Sequence, residues 1–363
     1  MARTVIKLGS AIVATEEGEL RGELLARICA AVAGARGRGD EVVVVTSGAI
    51  ARGTRILGLA ARPTAIEELQ AASAVGQGRL YRAYDELLAE HGVVAAQVLL
   101  TFFDVSARTS YLNARQTLGK LLDWGTVPVI NENDTTATDE ISFGDNDFLA
   151  AQVAILVGAD RLIILTSTEG LYSADPRTNT SAVLVERVED FAALEELEIT
   201  QTTSAHGSGG MRSKVVAADM ATAAGIETVI CSGAREGVLA RVLAGEREGT
   251  LFVAREQRYS SFKLWLRYAK PSRGTIVVDA GAARALSEGG RSLLPVGVVE
   301  VRGEFEAGDA VDVVEGERLI GKGICNYPAA DLRQAAGRHS AAVREVLPWA
   351  TEEAVHRDYF VLA

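Results

Sequence analysis

The chain has 363 residues, of which 48% are hydrophobic and 23% charged, with a formal net charge of −11. This balance excludes a disordered chain, and the length suits two domains. The negative charge opposes non-specific attraction to nucleic acid or anionic lipid, so any anionic substrate has to be captured by a local basic site.

At the N-terminus, the apolar stretch around Val5 and Ile6 is too short for a signal peptide. No later run approaches a membrane span, so a cytoplasmic protein without a membrane partner is expected. Short Val/Ile/Leu runs at 5–8, 42–46, 94–100, 127–130, 162–165 and 229–231 alternate with longer amphipathic stretches. That is the pattern of βαβ units around a mostly parallel sheet. Leu20, Leu24, Leu25, Ile28 and Val32 recur at helical spacing, and residues 66–88 have the length and Ala/Leu/Glu content of a helix. Residues 1–254 therefore read as an α/β domain. Residues 255–273 read as a linker, opening on the polar stretch 255–261. Beyond it, β-like runs at 275–278, 298–301, 310–314 and 319–323 are separated by Gly-containing turns, which predicts a small β-rich domain over 274–363. Cys29, Cys231 and Cys325 are far apart among apolar residues and read as buried thiols. His91, His206, His339 and His356 show no metal-ligand spacing.

In an open parallel sheet, ligands collect at the carboxyl ends of the strands. The corresponding loops here are polar and glycine-rich: Lys7-Leu8-Gly9-Ser10, Thr46-Ser47-Gly48, Asn131-Glu132-Asn133-Asp134, Gly144-Asp145-Asn146-Asp147 and Thr166-Ser167. A further loop carries Gly207, Ser208, Gly209 and Gly210 into a helix through Met211, Arg212, Ser213 and Lys214. Its glycines let the backbone approach a ligand, and the free N–H groups of the helix suit an anion such as phosphate. Neither a Walker A motif nor a dinucleotide fingerprint is present. Each segment has a plain reading by itself: a turn for the glycine loop, a solvent-reaching strand-end side chain for Lys7, a turn with a helix cap for 144–147.

Together they suit phosphoryl transfer to a carboxylate, an acceptor with a reference pKa of about 4 that is already ionised and needs no general base. Lys7, Lys214, backbone N–H groups and Mg²⁺ would stabilise charge on the transferring group. Asp147 is the best candidate to orient the lysines and keep them charged. Asp134 and Asn146 are candidate acceptors for the ammonium group of an amino acid, and Ser47 with Gly48 for its carboxylate end.

Taken in order, Lys7-Leu8-Gly9, Thr46-Ser47-Gly48-Ala49-Ile50, Ala74-Val75-Gly76-Gln77, Leu112-Asn113-Ala114-Arg115, Val129 to Asp134, Gly144 to Asp147, and Gly209-Gly210-Met211 with Lys214 resemble the glutamate 5-kinases of the amino acid kinase family. The resemblance covers essentially the whole chain. Ser292-Leu293-Leu294-Pro295, Gly303-Glu304-Phe305 and His356-Arg357-Asp358 resemble the PUA domain attached to many members. The resemblance implies an αβα sandwich that transfers the γ-phosphoryl of ATP to the side-chain carboxylate of L-glutamate, giving L-glutamyl 5-phosphate for proline biosynthesis. It implies that Lys7 and Lys214 stabilise the transition state, that Asp147 orients them, and that Ser47, Asp134 and Asn146 bind glutamate. It further assigns Lys7, Gly9, Ser10, Thr166, Ser167 and the residues Ser208, Gly209, Gly210, Met211, Arg212, Ser213 and Lys214 to ATP. Mg²⁺, a homo-oligomer, feedback inhibition by proline and a downstream glutamyl phosphate reductase are implied in the same way. Ser167 stands where the family usually has Asp, which bears on ATP affinity or base preference, and Ala11 replaces a second hydroxyl residue. Ser208 keeps the hydroxyl of the usual threonine.

Two other readings are a related kinase acting on a different acidic amino acid, and an RNA-binding protein centred on the PUA-like domain. From Gly274 onward there are nine Lys/Arg against fourteen Asp/Glu, a net −5 with no basic stripe, which argues against RNA.

Overall fold

Strands covered on both faces carry apolar side chains at every position, and the apolar runs at 5–8, 42–46, 127–130, 162–165 and 229–231 form such strands; the run at 94–100 instead makes an edge strand, with Val94 66% and Leu99 38% exposed. In the computed structural model, residues 1–101, 104, 108–136, 146–191, 194, 210–256, 263, 266–267, 270, 272–347 and 351–363 are described. The chain divides into two units, Met1–Arg258 and Tyr259–Ala363.

The first unit carries one sheet of eight strands: β1 (Arg3–Leu8), β2 (Glu41–Val45), β3 (Ala95–Leu100), β4 (Val127–Glu132), β5 (Arg161–Thr166), β6 (Arg187–Val188), β7 (Glu227–Ser232) and β8 (Thr250–Phe252). Their order is β3-β4-β2-β1-β5-β7-β8-β6. Every pairing is parallel except that of β7 with β8. The mostly parallel α/β sheet expected from the sequence is therefore present, and the carboxyl ends of β4, β2, β1 and β5 lie side by side along one edge.

The helices of this unit are α1 (Ser10–Val13), α2 (Gly22–Gly37), α3 (Ala49–Ile56), α4 (Ile66–Ala89), α5 (Arg108–Asp123), α6 (Asn146–Val157), α7 (Met211–Ala223) and α8 (Val238–Leu243). On one face, Ile6 and Leu8 of β1, Val42 and Val44 of β2, and Ile163 and Leu165 of β5 share a core with α2, α4 and α8. Side chains alternate across a strand, so Val5 and Lys7 turn to the other face, where α6 packs against β1 and α7 against α6. Helix α6 is buried almost throughout, as its apolar composition on all sides requires. One expectation shifts: α2 begins at Gly22, and Leu20 forms an antiparallel bridge with Ala14 instead of joining the helix, while still packing on the core.

Helices α3 and α4 cross with their backbones almost touching. A Cβ placed on Gly53 would fall 1.7 Å from the carbonyl oxygen of Ala72, and one on Gly76 would fall 1.9 Å from that of Ala49. Only glycine permits this approach. It holds the start of α3, just after Ser47 and Gly48, against the stretch of α4 that carries Ser73 and Gln77.

The second unit is a five-stranded sheet of β9 (Gly274–Val278), β10 (Val298–Gly303), β11 (Ala310–Glu315), β12 (Arg318–Cys325) and β13 (Val355–Leu362), in the order β10-β9-β11-β12-β13. Only β9 and β11 pair in parallel. With α9 (Ala280–Ser287), α10 (Ala329–Ala335) and α11 (Ser340–Val346), the sheet encloses a core that includes Ile276, Val311, Val313, Leu332 and Phe360.

All three cysteines are buried. Burial pushes the Cys29 and Cys231 thiols up to about 12 and that of Cys325 to about 11, so they are inert side chains of the core. No described helix is long and apolar enough to cross a membrane.

Candidate active site

Lys7 is the penultimate residue of β1 and is 2% exposed, on the α6 and α7 face. A lysine that deep requires a counter-charge. Asp147, fully buried in the first turn of α6, supplies it: Oδ1 lies 2.5 Å from Lys7 Nζ, and Oδ2 lies 2.8 Å from Lys214 Nζ. A carboxylate at the start of a helix is favoured by the helix dipole.

The second lysine comes from the first turn of α7, a position where the same dipole disfavours a cation, and the Asp147 carboxylate offsets that cost. Ser213 packs into the group as well, its hydroxyl 2.8 Å from the Gly210 carbonyl oxygen and 3.2 Å from Asp147 Oδ2. Among the described residues, two ammonium groups meet one carboxylate at the end of the sheet, an excess of one positive charge beside the N–H groups that open α7. An anion is the natural complement.

Around this cationic group lies an uncharged polar chain. Asn146 Nδ2 donates to the Thr46 carbonyl and, over 2.7 Å, to Asn131 Oδ1. Asn131 Nδ2 donates to Gln77 Oε1 over 2.6 Å, and the Thr46 hydroxyl meets Tyr84 OH at 2.7 Å. Asp134, past the end of β4, accepts a 2.5 Å hydrogen bond from the Ser73 hydroxyl. Burial raises the Asp134 carboxyl above the ordinary range, against the opposing pull of the Ser73 hydrogen bond and the Arg62 charge.

The sequence-predicted residues thus fall into three groups. Lys7, Asp147, Lys214 and Ser213 meet directly, while Asn146 and Asp134 sit in the polar shell. Gly9 lies beside the lysine, for a Cβ there would stand 3.8 Å from Lys7 Nζ. Ser10 opens α1, Ser47 precedes α3, Thr166 ends β5 and Ser167 follows it; Gly210 caps α7, and Met211 and Arg212 form its first turn. Gly210 and Ser47 reach the hydrogen-bonded group only through their carbonyl oxygens, which accept from the Ser213 and Thr46 hydroxyls; among the described residues the others stand at the same strand and helix ends without a hydrogen bond to it. Ser208 and Gly209, like Gly144 and Asp145, lie outside the described residues.

Residues 2–232 match the model of the amino acid kinase family. The chain belongs to the amino acid kinase family. As a kinase of this family, the protein uses ATP. Residues 274–347 match the PUA domain, which accounts for the β-rich second unit. Glutamate 5-kinase of Meiothermus ruber is 47% identical over 363 residues, covering 99% of this chain and 96% of that protein. Glutamate 5-kinase of Burkholderia mallei (strain SAVP1) is 46% identical over 364 residues, 99% of this chain and 97% of its own. Among solved structures, isopentenyl phosphate kinase covers 69% of this chain and 100% of its own at 17% identity and a TM-score of 0.49.

Three residues of this amino acid kinase site were not singled out from the sequence, Ser73, Tyr84 and Arg62, and Gln77 entered only as part of the Ala74-Val75-Gly76-Gln77 motif, with no role. On α4, Ser73 reads as an ordinary polar helix position. Only the Gly53/Gly76 crossing, legible at most as two glycines inside helical stretches, hints that this face is covered.

Proposed function

We propose that the protein is a glutamate 5-kinase: it transfers the γ-phosphoryl group of ATP to the side-chain carboxylate of L-glutamate, giving L-glutamyl 5-phosphate, the first step of proline biosynthesis. The observation that carries this reading is the convergence of Lys7 and Lys214 on the buried Asp147. A glutamate carboxylate oxygen attacks the γ-phosphorus in line with the bond to ADP, and the electron pair of that bond stays on the departing ADP oxygen. No proton has to be removed from the acceptor, in keeping with a site built from lysines and a carboxylate and not around a general base.

The two ammonium groups offset the repulsion between the anionic reactants and stabilise charge on the equatorial oxygens, and the N–H groups of Gly210 to Ser213 add fixed dipoles. Lys7 and Lys214 cannot drift, because each is tied to a different oxygen of Asp147. Both Asp147 oxygens are engaged by lysines, so Mg²⁺ would enter with the ATP phosphates and not on this carboxylate, and would supply further neutralisation of phosphate charge. On the acceptor side, Asp134 and Asn146 take the substrate ammonium and Ser47 its α-carboxylate. Gly9, Ser10, Thr166, Ser167 and the Ser208 to Lys214 segment hold ATP.

In this reading residues 1–254 are the catalytic domain, 274–363 the PUA-like domain and 255–273 the linker. A cytoplasmic homo-oligomer, inhibition by proline and delivery of the labile acyl phosphate to a reductase complete the proposal. Hydroxylamine trapping of the acyl phosphate, run in parallel with glutamate, aspartate and N-acetylglutamate, tests it. Glutamate should give the hydroxamate, and N-acetylglutamate should not, because its nitrogen carries no charge for Asp134. Activity on a different acid alone would refute the assignment.

A further inference from the structure

We propose that Ser73 and Gln77, one turn apart on α4, are positioning residues that hold in place the hydrogen-bonding polarity of the amino-acid site, Gln77 by closing a chain of amides that the Thr46 carbonyl begins. The inference rests on the glutamate reading above and concerns how the acceptor side is held.

The polarity follows from a single group that cannot be reversed. The Thr46 backbone carbonyl can only accept, so Asn146 has to turn its NH₂ group toward it. The same NH₂ faces Asn131, which must then present its oxygen, as the 2.7 Å contact records. Asn131 is left with its own NH₂ directed at position 77, and Gln77 answers with Oε1 at 2.6 Å. Reversing any one of these amides would set NH₂ against NH₂ or oxygen against oxygen among groups that are buried, Asn131 at 2% exposure and Asn146 at 7%. The outcome is that Asn146 offers its carbonyl oxygen, and not its NH₂, to the substrate: an acceptor suited to an ammonium group.

Ser73 acts on the second acceptor. Its hydroxyl is 3% exposed and donates to Asp134 Oδ2, which orients the carboxylate and supports its ionised form. Both contacts leave α4 from neighbouring turns of one face, and the glycine crossing with α3 fixes how far that face stands from the strand ends. Helix α4 therefore supplies no atom to the reaction but helps hold the direction of two substrate-facing side chains, Asn146 through Asn131 and Asp134 directly.

The test uses the full chain. Turnover by hydroxamate formation, KM for glutamate, KM for ATP and thermal melting are measured for Gln77→Leu, Gln77→Glu, Ser73→Ala, Asp134→Asn and the Ser73→Ala/Asp134→Asn pair. Gln77→Leu should raise KM for glutamate about tenfold or more, with KM for ATP unchanged and melting lowered modestly, because the buried Asn131 NH₂ loses its acceptor. Gln77→Glu, which keeps an acceptor facing Asn131, should recover most of that loss. Ser73→Ala should raise KM for glutamate in the native background and add nothing when Asp134 is already Asn, because it works through that carboxylate. Equal behaviour of Gln77→Leu and Gln77→Glu, losses that follow melting alone, or additive effects of Ser73→Ala and Asp134→Asn would each overturn the proposal. A native protein that makes no hydroxamate with glutamate would instead refute the substrate assignment.

Discussion

The two units treat charge in opposite ways. In Met1–Arg258, Lys7, Asp147 and Lys214 lie beneath the surface, the carboxylate wholly enclosed. In Tyr259–Ala363, the pairs Arg302 with Glu300, Arg318 with Glu315, Arg333 with Glu304 and Arg344 with Glu352 all have partners a third or more exposed. Exposed pairs contribute about 0–1 kcal/mol each, because water and salt screen them. Buried charges cost several kcal/mol to desolvate, and apolar replacements often stabilise a fold as well or better. The second unit stands on its apolar core with these charges at the rim, whereas the first keeps charge inside at a cost to stability, which the proposed chemistry at the strand ends accounts for.

The contrast breaks most sharply at Asp147. Its replacement by Ala strands two adjacent buried ammonium groups, so turnover should fall by several orders of magnitude. Melting should drop with it, by the equivalent of about 3–5 kcal/mol. Unchanged melting would show that the three groups are not held together as described. Lys214→Ala separates chemistry from folding, because Asp147 keeps Lys7 as its partner. There kcat should fall about 10²–10³-fold with little change in melting, and near-normal turnover would displace the reaction centre.

A smaller effect, dependent on pH, is expected at Asp134, whose carboxyl is held above the ordinary range chiefly by burial. Acidification protonates it before ordinary carboxylates, so KM for glutamate should climb as pH falls through that raised value. The stability consequence has the opposite sense. A raised folded-state value means the folded chain binds the proton more tightly than the unfolded one, a stabilisation present at acid pH and lost as pH rises through the folded value. Asp134→Asn should therefore remove the acid limb of KM and melt no lower than the native protein at neutral pH, while binding glutamate poorly. A KM insensitive to acid would remove Asp134 from the ammonium site. The smallest change is expected in the second unit: Arg302→Ala should leave melting essentially unchanged at both low and high salt, because water and salt already screen its pair with Glu300.

Much of this was legible before any coordinates. Runs such as Val42 to Val45 are apolar at every position because both faces of a parallel strand are covered, and no surface strand of a soluble protein reads that way. Lys7, Asn146, Asp147 and Lys214 stood out because strand-end and helix-start loops are where such a sheet meets its ligands. Ser73 gave no comparable signal, and Gln77 stood out only within the motif at 74–77, with no contact implied: a polar residue on a helix usually faces water, and nothing local says otherwise.

Where most strands lie along the chain, the residues at their ends and the chemistry those residues suit were thus determined by the sequence alone, since burial pattern and loop composition are local properties. Tertiary structure alone decided that Lys7 and Lys214, 207 positions apart, share one carboxylate, and that α4 turns two polar side chains inward. Both depend on which faces meet when strands cross over and helices pack, and contact between distant segments leaves no periodicity in the chain to be read.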